Sequence, residues 1–331
     1  MNRVIITAVM RVLVVGGTEF ISLALVRALM REGHAVTVLN RGRRNDRLPP
    51  SVDVLACDRK DHALLKSVLT GARFDGVCDI TYAPTTGEDV AALAEALAGA
   101  PHVLFVSTGR VYDHALPIPF SETTPRGYYW GDYARHKIAG EDALLERHRS
   151  RGLPVTIVRP THVLGPLNTR NNETFFFDRI LRGRPVLVPG HGGWLRQFGH
   201  VDDLADALAA MLGNPKAVGQ AYNVTGEECV TQVGFVEQIA EVLDRPVEFR
   251  HFDPALLEGF DKPGPVFGQN LVYDCHAVYT TSKIRAELGI RPRYTLASGL
   301  RQTWEWYRKE GLDQRPVDFG FEDQLLALLP R

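Results

Sequence analysis

The feature that most constrains the fold of this chain is a buried strand followed at once by glycines and then by an amphipathic helix. Residues 12–15 form a continuous apolar run, which is typical of a parallel strand covered on both faces. Gly16 and Gly17 follow, and residues 20–32 then carry apolar side chains at helical spacing before Gly33. This order predicts a strand, a tight turn and a helix that packs back onto the strand.

The same alternation of strand and helix continues through the first half of the chain. Apolar runs predict further strands at residues 35–39, 52–56, 76–80, 102–106 and 155–158. Helical spacing predicts helices at residues 61–69, 88–97 and 133–149. Because strands that alternate with helices form β-α-β units, we expect an α/β fold with a Rossmann doubly wound parallel sheet.

The alternation breaks down after about residue 165, where a loop-rich stretch begins. Further helices are predicted near residues 174–181, 201–212, 235–243 and 298–307. We therefore expect a smaller C-terminal substrate-binding lobe. Residues 11–166 and about 196–226 would form the dinucleotide-binding domain, and residues 167–195 and 227–331 would form the lobe.

Composition argues against several classes of protein. The formal net charge of -1 gives no general attraction to nucleic acid or to an anionic membrane. No apolar run reaches the roughly 18 residues that a membrane span needs, and Arg11 interrupts the apolar N-terminus. The four cysteines are scattered, without a C-x-x-C pair or a histidine cluster at metal spacing. We expect a cytoplasmic protein with reduced thiols and no metal.

The glycine turn after the first strand predicts a dinucleotide site, because free N–H groups at a helix start bind phosphate. A full G-x-x-G-x-x-G motif would place glycines at 16, 19 and 22, whereas this chain has Glu19 and Ser22 at the last two positions. Either the Glu19 side chain points away from the turn, or affinity suffers. A turn without a ligand is the alternative. The predicted contacts from this segment are Gly16, Gly17, Thr18, Glu19, Phe20 and Ile21.

The end of the second predicted strand bears on the choice between NAD and NADP. A carboxylate there suits the ribose 2′-hydroxyl of NAD, whereas an arginine suits the 2′-phosphate of NADP. Asn40 is followed by no carboxylate but by Arg41, Arg43 and Arg44. The sequence therefore favours NADP, with Glu19 as the main counterweight and a solvated loop as the alternative. Asp58, after the third strand, is placed to meet an adenine amino group.

A catalytic pair is predicted on the helix after the fifth strand. Tyr133 and Lys137 are four residues apart and share one helix face. The ammonium would favour the phenolate, and the phenol would exchange a proton with a hydroxyl or carbonyl while a nicotinamide exchanges a hydride. Thr108, after Ser107 at the strand end, would hold the same oxygen. By itself the pair could be an ordinary surface tyrosine and lysine, but its place after a fifth Rossmann strand makes it specific.

With these residues in place, the chain resembles the extended short-chain dehydrogenase/reductase family, the NAD(P)-dependent epimerase/dehydratase group. The resemblance covers about residues 11–310. Its matching segments are residues 16–21, 105–112, 133–137, 158–166, 196–203, 222–226 and 282–292. It implies that Tyr133 is the acid/base, that Lys137 binds the nicotinamide ribose, and that Thr108 is the third catalytic hydroxyl. It also implies a homodimer formed through the helices near residues 88–97 and 133–149.

The resemblance carries over further binding residues. Additional cofactor contacts would be Tyr82, Ala83, Ser107 and Pro160, beside Asn40, Arg41, Asp58 and Lys137. Substrate contacts would be Tyr82, Arg110, Tyr129, His162 and Arg196. The aromatic residues could stack on a sugar ring, or they could simply pack the lobe.

Departures from the family pattern narrow the reaction. Sugar-nucleotide 4,6-dehydratases carry an Asp-Glu pair after the catalytic threonine, whereas Gly109 and Arg110 stand here, which argues against that elimination. Sugar-nucleotide epimerases often place asparagine where His162 sits, and they carry a diphosphate-binding arginine that residues 265–270 lack. Arg196 could still meet a diphosphate. A nucleotide-sugar substrate therefore stays open.

Other pieces resemble a subgroup related to chloroplast stem-loop-binding proteins, some of which bind RNA. They are residues 16–21, the Asn-Arg-Gly at 40–42 and residues 272–274. Three hypotheses follow: a sugar-type epimerase or oxidoreductase, a carbonyl reductase or alcohol dehydrogenase on another small molecule, and a nucleotide-sensing or RNA-binding protein. The third ranks last, because the chain is not basic and keeps Tyr133 and Lys137.

Overall fold

The computed structural model describes residues 9–80, 85–170, 172–261, 264–267 and 274–330. Its strands are β1 Arg11–Val15, β2 Ala35–Asn40, β3 Asp53–Ala56, β4 Gly76–Asp79, β5 His102–Val106, β6 Val155–Pro160, β7 His162–Leu164, β8 Val186–Pro189, β9 Leu195–His200, β10 Ala221–Val224, β11 Cys229–Thr231 and β12 Phe249–Phe252. Its helices are α1 Phe20–Arg31, α2 His62–Leu69, α3 Gly87–Ala96, α4 Gly131–Arg151, α5 Glu173–Leu181, α6 Val201–Met211, α7 Gln232–Leu243, α8 Ser282–Leu288, α9 Leu296–Lys309 and α10 Gly320–Ala327.

Seven parallel strands form the central sheet, in the order β10-β6-β5-β4-β1-β2-β3. The chain runs outward from β1 to β3 and then returns to β4 on the other side of β1. The order therefore reverses between β1 and β4, and ligands of doubly wound sheets bind at the carboxyl ends of the strands beside that point. The predicted Rossmann fold is confirmed.

Helices cover both faces of the sheet, and β1 shows why its sequence is apolar throughout. Val12 and Val14 pack with α1 and α6 on one face, and Leu13 and Val15 pack with α2, α3 and α4 on the other. Successive side chains of a strand point to opposite faces, so a strand with two covered faces has no position for a polar side chain.

Gly17 has no room for a side chain. Its φ is +93°, and a Cβ built there would lie 2.5 Å from Val38 Cγ1 on β2. Gly33 also has a positive φ, +85°, but a Cβ there would meet nothing within 4 Å. Comparing substitutions at Gly17 and Gly33 therefore distinguishes the cost of backbone strain from the cost of steric overlap.

We expect Gly17→Ala to lower the free energy of unfolding by about 3 kcal/mol or more, because it combines strain with displacement of β2. Gly33→Ala should cost only about 1 kcal/mol, from strain alone. Urea denaturation of both variants measures the difference. Equal losses would show that the close approach of Val38 has no energetic weight.

A separate aromatic core lies mainly in the C-terminal half of the chain. Phe175, Phe176 and Phe177 of α5 are buried there with side chains of α7 and α9. Strands β7, β9 and β11 form a small sheet, and β8 pairs with β12. Phe198 of β9 packs in this core, whereas α6 and β10 pack in the Rossmann layers. The division of the chain into two lobes at residues 166, 196 and 226 stays a prediction.

Helix α1 and most other predicted elements occur within a few residues of their expected bounds. The sequence did not predict β7, β9, β10, β11, β12, α8 or α10, which are short elements without a clear apolar period. Among the helices of the described ranges, none is both long and apolar enough to cross a membrane.

Candidate active site

A cleft of about 390 Å³ opens at the carboxyl ends of the central strands. It is lined by Ile21, Ile80, Val106, Ser107, Thr108, Tyr133, Lys137, Pro160, Thr161 and Val163. Ile21 belongs to the first turn of α1, directly after the glycine turn. The cleft therefore brings the predicted dinucleotide site and the predicted catalytic pair together.

Lys137 is fixed within the cleft by burial and by a hydrogen bond to the sheet. Its side chain is largely buried, and Nζ donates to the carbonyl oxygen of Val106 over 2.8 Å. The ammonium also lies 5.1 Å from the centroid of the Phe105 ring. Tyr133, one helical turn earlier, is 36% exposed at the mouth of the cleft. The lysine is thus held at the end of β5 while the phenol stays accessible to a substrate.

Thr108 begins the short 3-10 helix Gly109–Val111. Its Oγ1 accepts a hydrogen bond from the backbone N–H of Arg110 over 3.3 Å, which caps that helix. A Cβ added at Gly109 would lie 2.6 Å from the Tyr279 ring, so the next position tolerates no side chain. Burial raises the pKa of Tyr279 above its ordinary value. The tight packing fixes the Thr108 hydroxyl on the wall of the cleft.

A buried carboxylate beneath the cleft, which the sequence analysis missed, connects its walls. Glu141 of α4 is fully buried, and its Oε1 accepts hydrogen bonds from Ser107 Oγ at 2.6 Å and Arg159 Nε at 2.9 Å. Its Oε2 accepts from Arg159 Nη2 at 2.6 Å and from Arg126 Nη1 at 3.1 Å. The only indication in the sequence is that Glu141 follows Lys137 by four residues and so shares its helix face.

The same network continues from β6 to the edge strand β10. Arg159 Nη1 donates to the Tyr112 hydroxyl over 3.0 Å, and that hydroxyl donates to Asn223 Oδ1 over 2.6 Å. Burial raises the pKa of Tyr112 to about 12, which keeps its donor proton in place. Hydrogen bonds therefore hold the ends of β6 and β10 beside α4.

The glycine turn has the geometry of a phosphate cradle. Gly16 and Gly17 have φ of +114° and +93°, and a Cβ at Gly16 would lie 2.9 Å from the Ile80 carbonyl oxygen. Ser22 is small and buried, and its hydroxyl donates to the Glu19 carbonyl oxygen over 2.8 Å. The N-terminus of α1, where N–H groups lack intrahelical partners, follows directly. These residues fit the pyrophosphate of a dinucleotide.

The Glu19 carboxylate, in the turn of this cradle, has a cationic partner. It forms an ion pair with Arg44, in the loop after β2. The sequence left open whether the Glu19 side chain points away from the turn. In the structure it reaches toward the loop after β2.

Asn40, at the end of β2, joins the two loops. Its Nδ2 donates to the Gly16 carbonyl oxygen over 3.3 Å, and its Oδ1 accepts from the Gly42 N–H over 2.6 Å. Arg41 is exposed, and so is Asp58, whose Oδ1 accepts from the Lys60 N–H over 3.1 Å. Tyr82 and Ala83 lie outside the described residues.

Two of the predicted substrate residues, Arg110 and Tyr129, lie around one aromatic cluster. The Arg110 guanidinium lies 4.7 Å from the Trp130 ring centroid and 5.8 Å from that of Tyr133. Tyr129 packs against Trp130 and donates its hydroxyl hydrogen to Asp274. Arg110 therefore links this cluster to Tyr133, the predicted acid/base.

Arg196 is fully enclosed, and His162 lies apart from the cluster. Arg196 Nη1 donates to the carbonyl oxygens of Leu195, at 2.8 Å, and Cys275. Burial lowers the pKa of Arg196 to about 10. The His162 ring packs instead against Phe198, with centroids 5.7 Å apart.

The glycine turn and the predicted catalytic pair lie in the part of the chain that matches a known family. The family model described as NAD dependent epimerase/dehydratase family matches residues 12–225. The chain belongs to this family. The match runs from the second residue of β1 to the residue after β10, and so includes the central sheet except Arg11 and every residue that lines the cleft.

Two curated relatives match most of the chain. It is 33% identical over 338 residues to the chloroplast stem-loop binding protein of 41 kDa b of Arabidopsis thaliana, covering 96% of this chain and 84% of that protein. It is 30% identical over 332 residues to a dTDP-glucose 4,6-dehydratase of Streptomyces niveus, covering 90% of this chain and 93% of the relative. The resemblance to the stem-loop-binding subgroup is thereby confirmed.

Among solved structures, the chain is similar to the UDP-glucose 4-epimerase of Thermus thermophilus in complex with NAD. The TM-score is 0.75 at 25% identity, with 90% of this chain and 99% of that chain covered. The family is NAD dependent by description, and this neighbour holds NAD. Dependence on a nicotinamide dinucleotide is therefore a property of the family to which the chain belongs.

Proposed function

We propose that this protein is a NAD(P)-dependent epimerase or oxidoreductase that acts at a hydroxyl or ketone carbon of a sugar or sugar-nucleotide-like substrate. The observation that carries the proposal is the single cleft shared by Tyr133, Lys137, Thr108 and Ile21 of the first turn of α1. A phenol, an ammonium and a hydroxyl on one wall, beside a phosphate cradle, are the groups that this chemistry requires.

The roles of the side chains follow from their placement. Tyr133 exchanges a proton with the reacting oxygen, and Thr108 hydrogen-bonds the same oxygen. Lys137, held by the Val106 carbonyl oxygen, favours the phenolate form of the tyrosine. When bound, a nicotinamide supplies hydride transfer at the adjacent carbon. Ser107, Pro160 and Ile21 shape the wall on which the dinucleotide lies.

A sugar nucleotide is the proposed substrate class. The names of the relatives support it, since they include a dTDP-glucose 4,6-dehydratase and a UDP-glucose 4-epimerase. Arg110 supplies a cation 5.8 Å from the Tyr133 ring centroid, and Tyr129 packs against Trp130, whose ring Arg110 also contacts. Arg196 contributes to diphosphate binding only if its guanidinium leaves the Leu195 and Cys275 carbonyl oxygens, and His162 remains a substrate contact by resemblance alone.

Epimerisation or redox chemistry is preferred to 4,6-dehydration. An acidic residue at position 109 would overlap the Tyr279 ring, and the following position is Arg110. The acid and base needed for elimination of water are thus missing from the wall beside Thr108. A carbonyl reductase acting on another small molecule is the second candidate.

NADP is proposed as the preferred dinucleotide. Arg41 and Arg43 are exposed in the loop after β2, where a 2′-phosphate would lie. The ion pair between Glu19 and Arg44 opposes this preference, because it occupies one of the three arginines. A cytoplasmic location, expected from the scattered cysteines, and a homodimer through α3 and α4, expected from the resemblance, complete the proposal.

RNA binding or nucleotide sensing ranks below these functions. Its support is the name of the Arabidopsis relative, which describes a stem-loop binding protein. The net charge of -1 and the intact Tyr133 and Lys137 favour the enzyme.

The test is to incubate the purified protein with NAD or NADP and a panel of UDP-linked sugars, dTDP-linked sugars and small ketones. An epimerase converts a sugar nucleotide to its epimer without net change in nicotinamide absorbance, because the hydride returns to the substrate. A net absorbance change would establish the reductase instead. Absence of any conversion, with tight binding of an RNA stem-loop, would contradict both.

A further inference from the structure

The ion pair between Glu19 and Arg44 spans two sites that a dinucleotide would occupy together. Glu19 stands in the turn of the phosphate cradle, and Arg44 stands in the loop after β2, where the adenosine ribose would lie. The two loops are adjacent, because Asn40 Nδ2 donates both to the Gly16 carbonyl oxygen, at 3.3 Å, and to Asn45 Oδ1, at 3.0 Å. The ion pair therefore joins the two loops that would surround the adenosine end of the dinucleotide.

We propose that Glu19 weakens the preference for NADP by holding Arg44 away from a ribose 2′-phosphate. The inference rests on the proposed function and deepens it. With NAD, Arg44 keeps its partner. With NADP, Arg44 transfers from the carboxylate to the 2′-phosphate, and Glu19 is left without its cation beside the pyrophosphate.

The transfer of Arg44 from the Glu19 carboxylate to the 2′-phosphate should have a measurable effect on affinity. The Arg44 and Glu19 side chains are 62% and 41% exposed, so water screens the ion pair and it is easily opened. A phosphate carries more charge and more acceptor oxygens than a carboxylate, so Arg44 gains by the transfer. The loss falls on Glu19, whose charge then repels the nearby pyrophosphate. Only the 2′-phosphorylated dinucleotide incurs that loss.

The loop contains a matched control for general charge effects. Arg43 is exposed, belongs to the same segment and carries the same charge, but the ion pair with Glu19 is made by Arg44. Arg43→Gln and Arg44→Gln therefore remove equal charge from almost the same place. Only the second breaks the contact on which the proposal depends.

Dissociation constants for NADP and NAD, measured by calorimetry on the wild type and the variants, test the proposal. We expect Glu19→Gln to tighten NADP binding by about fivefold and to change NAD binding by less than about twofold. In the Arg44→Gln background Glu19 lacks its cation with either dinucleotide, so Glu19→Gln should tighten NADP and NAD binding alike. In the Arg43→Gln background the gain should stay specific to NADP.

The outcomes separate this inference from the proposed function. Equal tightening of NADP and NAD by Glu19→Gln would mean that Glu19 merely repels the pyrophosphate, and would overturn the inference alone. So would a gain in the Arg44→Gln background that stays specific to NADP. Failure of the wild-type chain to bind either dinucleotide would overturn the proposed function as well.

Discussion

Replacing Tyr133 by phenylalanine should lower kcat by about 10²–10⁴-fold, the usual range for loss of a positioned acid/base group. The substitution removes one oxygen and keeps the ring, so the contact with the Arg110 guanidinium, 5.8 Å from the ring centroid, can persist. Dinucleotide affinity should stay within about twofold, because the phenol acts on the substrate oxygen. Steady-state kinetics and calorimetric binding measure the two effects.

Tyr128→Phe is the matched control, since Tyr128 is 55% exposed, precedes α4 and does not line the cleft. It should leave kcat within about twofold of the wild type. Full activity in Tyr133→Phe would eliminate the tyrosine as acid/base, and with it the proposed mechanism. Loss of dinucleotide binding in the same variant would instead indicate a disturbed site.

Glu141→Leu should lower the free energy of unfolding by about 3–5 kcal/mol, because it leaves a buried arginine without its carboxylate. Glu141 is fully buried and accepts two hydrogen bonds from Arg159, at 2.9 and 2.6 Å. It also holds the Ser107 hydroxyl at 2.6 Å, so the wall of the cleft beside Thr108 should loosen. Urea denaturation, followed by circular dichroism, measures the loss.

Asp142→Asn is the matched control for this prediction. Asp142 is the next residue of the same helix and also pairs with Arg126, at 2.8 Å, but its side chain is 56% exposed. Its substitution should cost less than about 1 kcal/mol, because water screens the pair. Equal losses for Glu141→Leu and Asp142→Asn would show that the buried network contributes no more than a surface ion pair.

Much of the central sheet could be predicted because its elements are local patterns. The apolar run of β1 and the helical spacing of α1 each involve neighbouring residues, and the glycines between them fix the turn. The spacing of Tyr133 and Lys137 is likewise one helical turn. By contrast, β9 and β10 mix polar and apolar residues without a regular period, and their pairing partners lie far along the chain.

The predicted site residues show the same contrast between local patterns and contacts that only the fold creates. The sequence predicted that Tyr133, Lys137 and Thr108 belong together, and the structure lines one cleft with all three. Glu141 and Arg159 went unassigned, although both stand within four residues of predicted site residues. The sequence does not show whether a charged residue will be buried. Burial is what makes the ion pair between Glu141 and Arg159 important for stability.

By itself, the sequence determined the doubly wound sheet, the glycine cradle and the helix face shared by Tyr133 and Lys137. Only the tertiary structure decided that Glu19 faces Arg44, that Glu141 binds Arg159, and that Arg196 is enclosed. The physical reason is the separation along the chain of the residues that make each contact. Periodicity records contacts within a strand or one helical turn, whereas these contacts depend on which loops and strands the folded chain brings side by side.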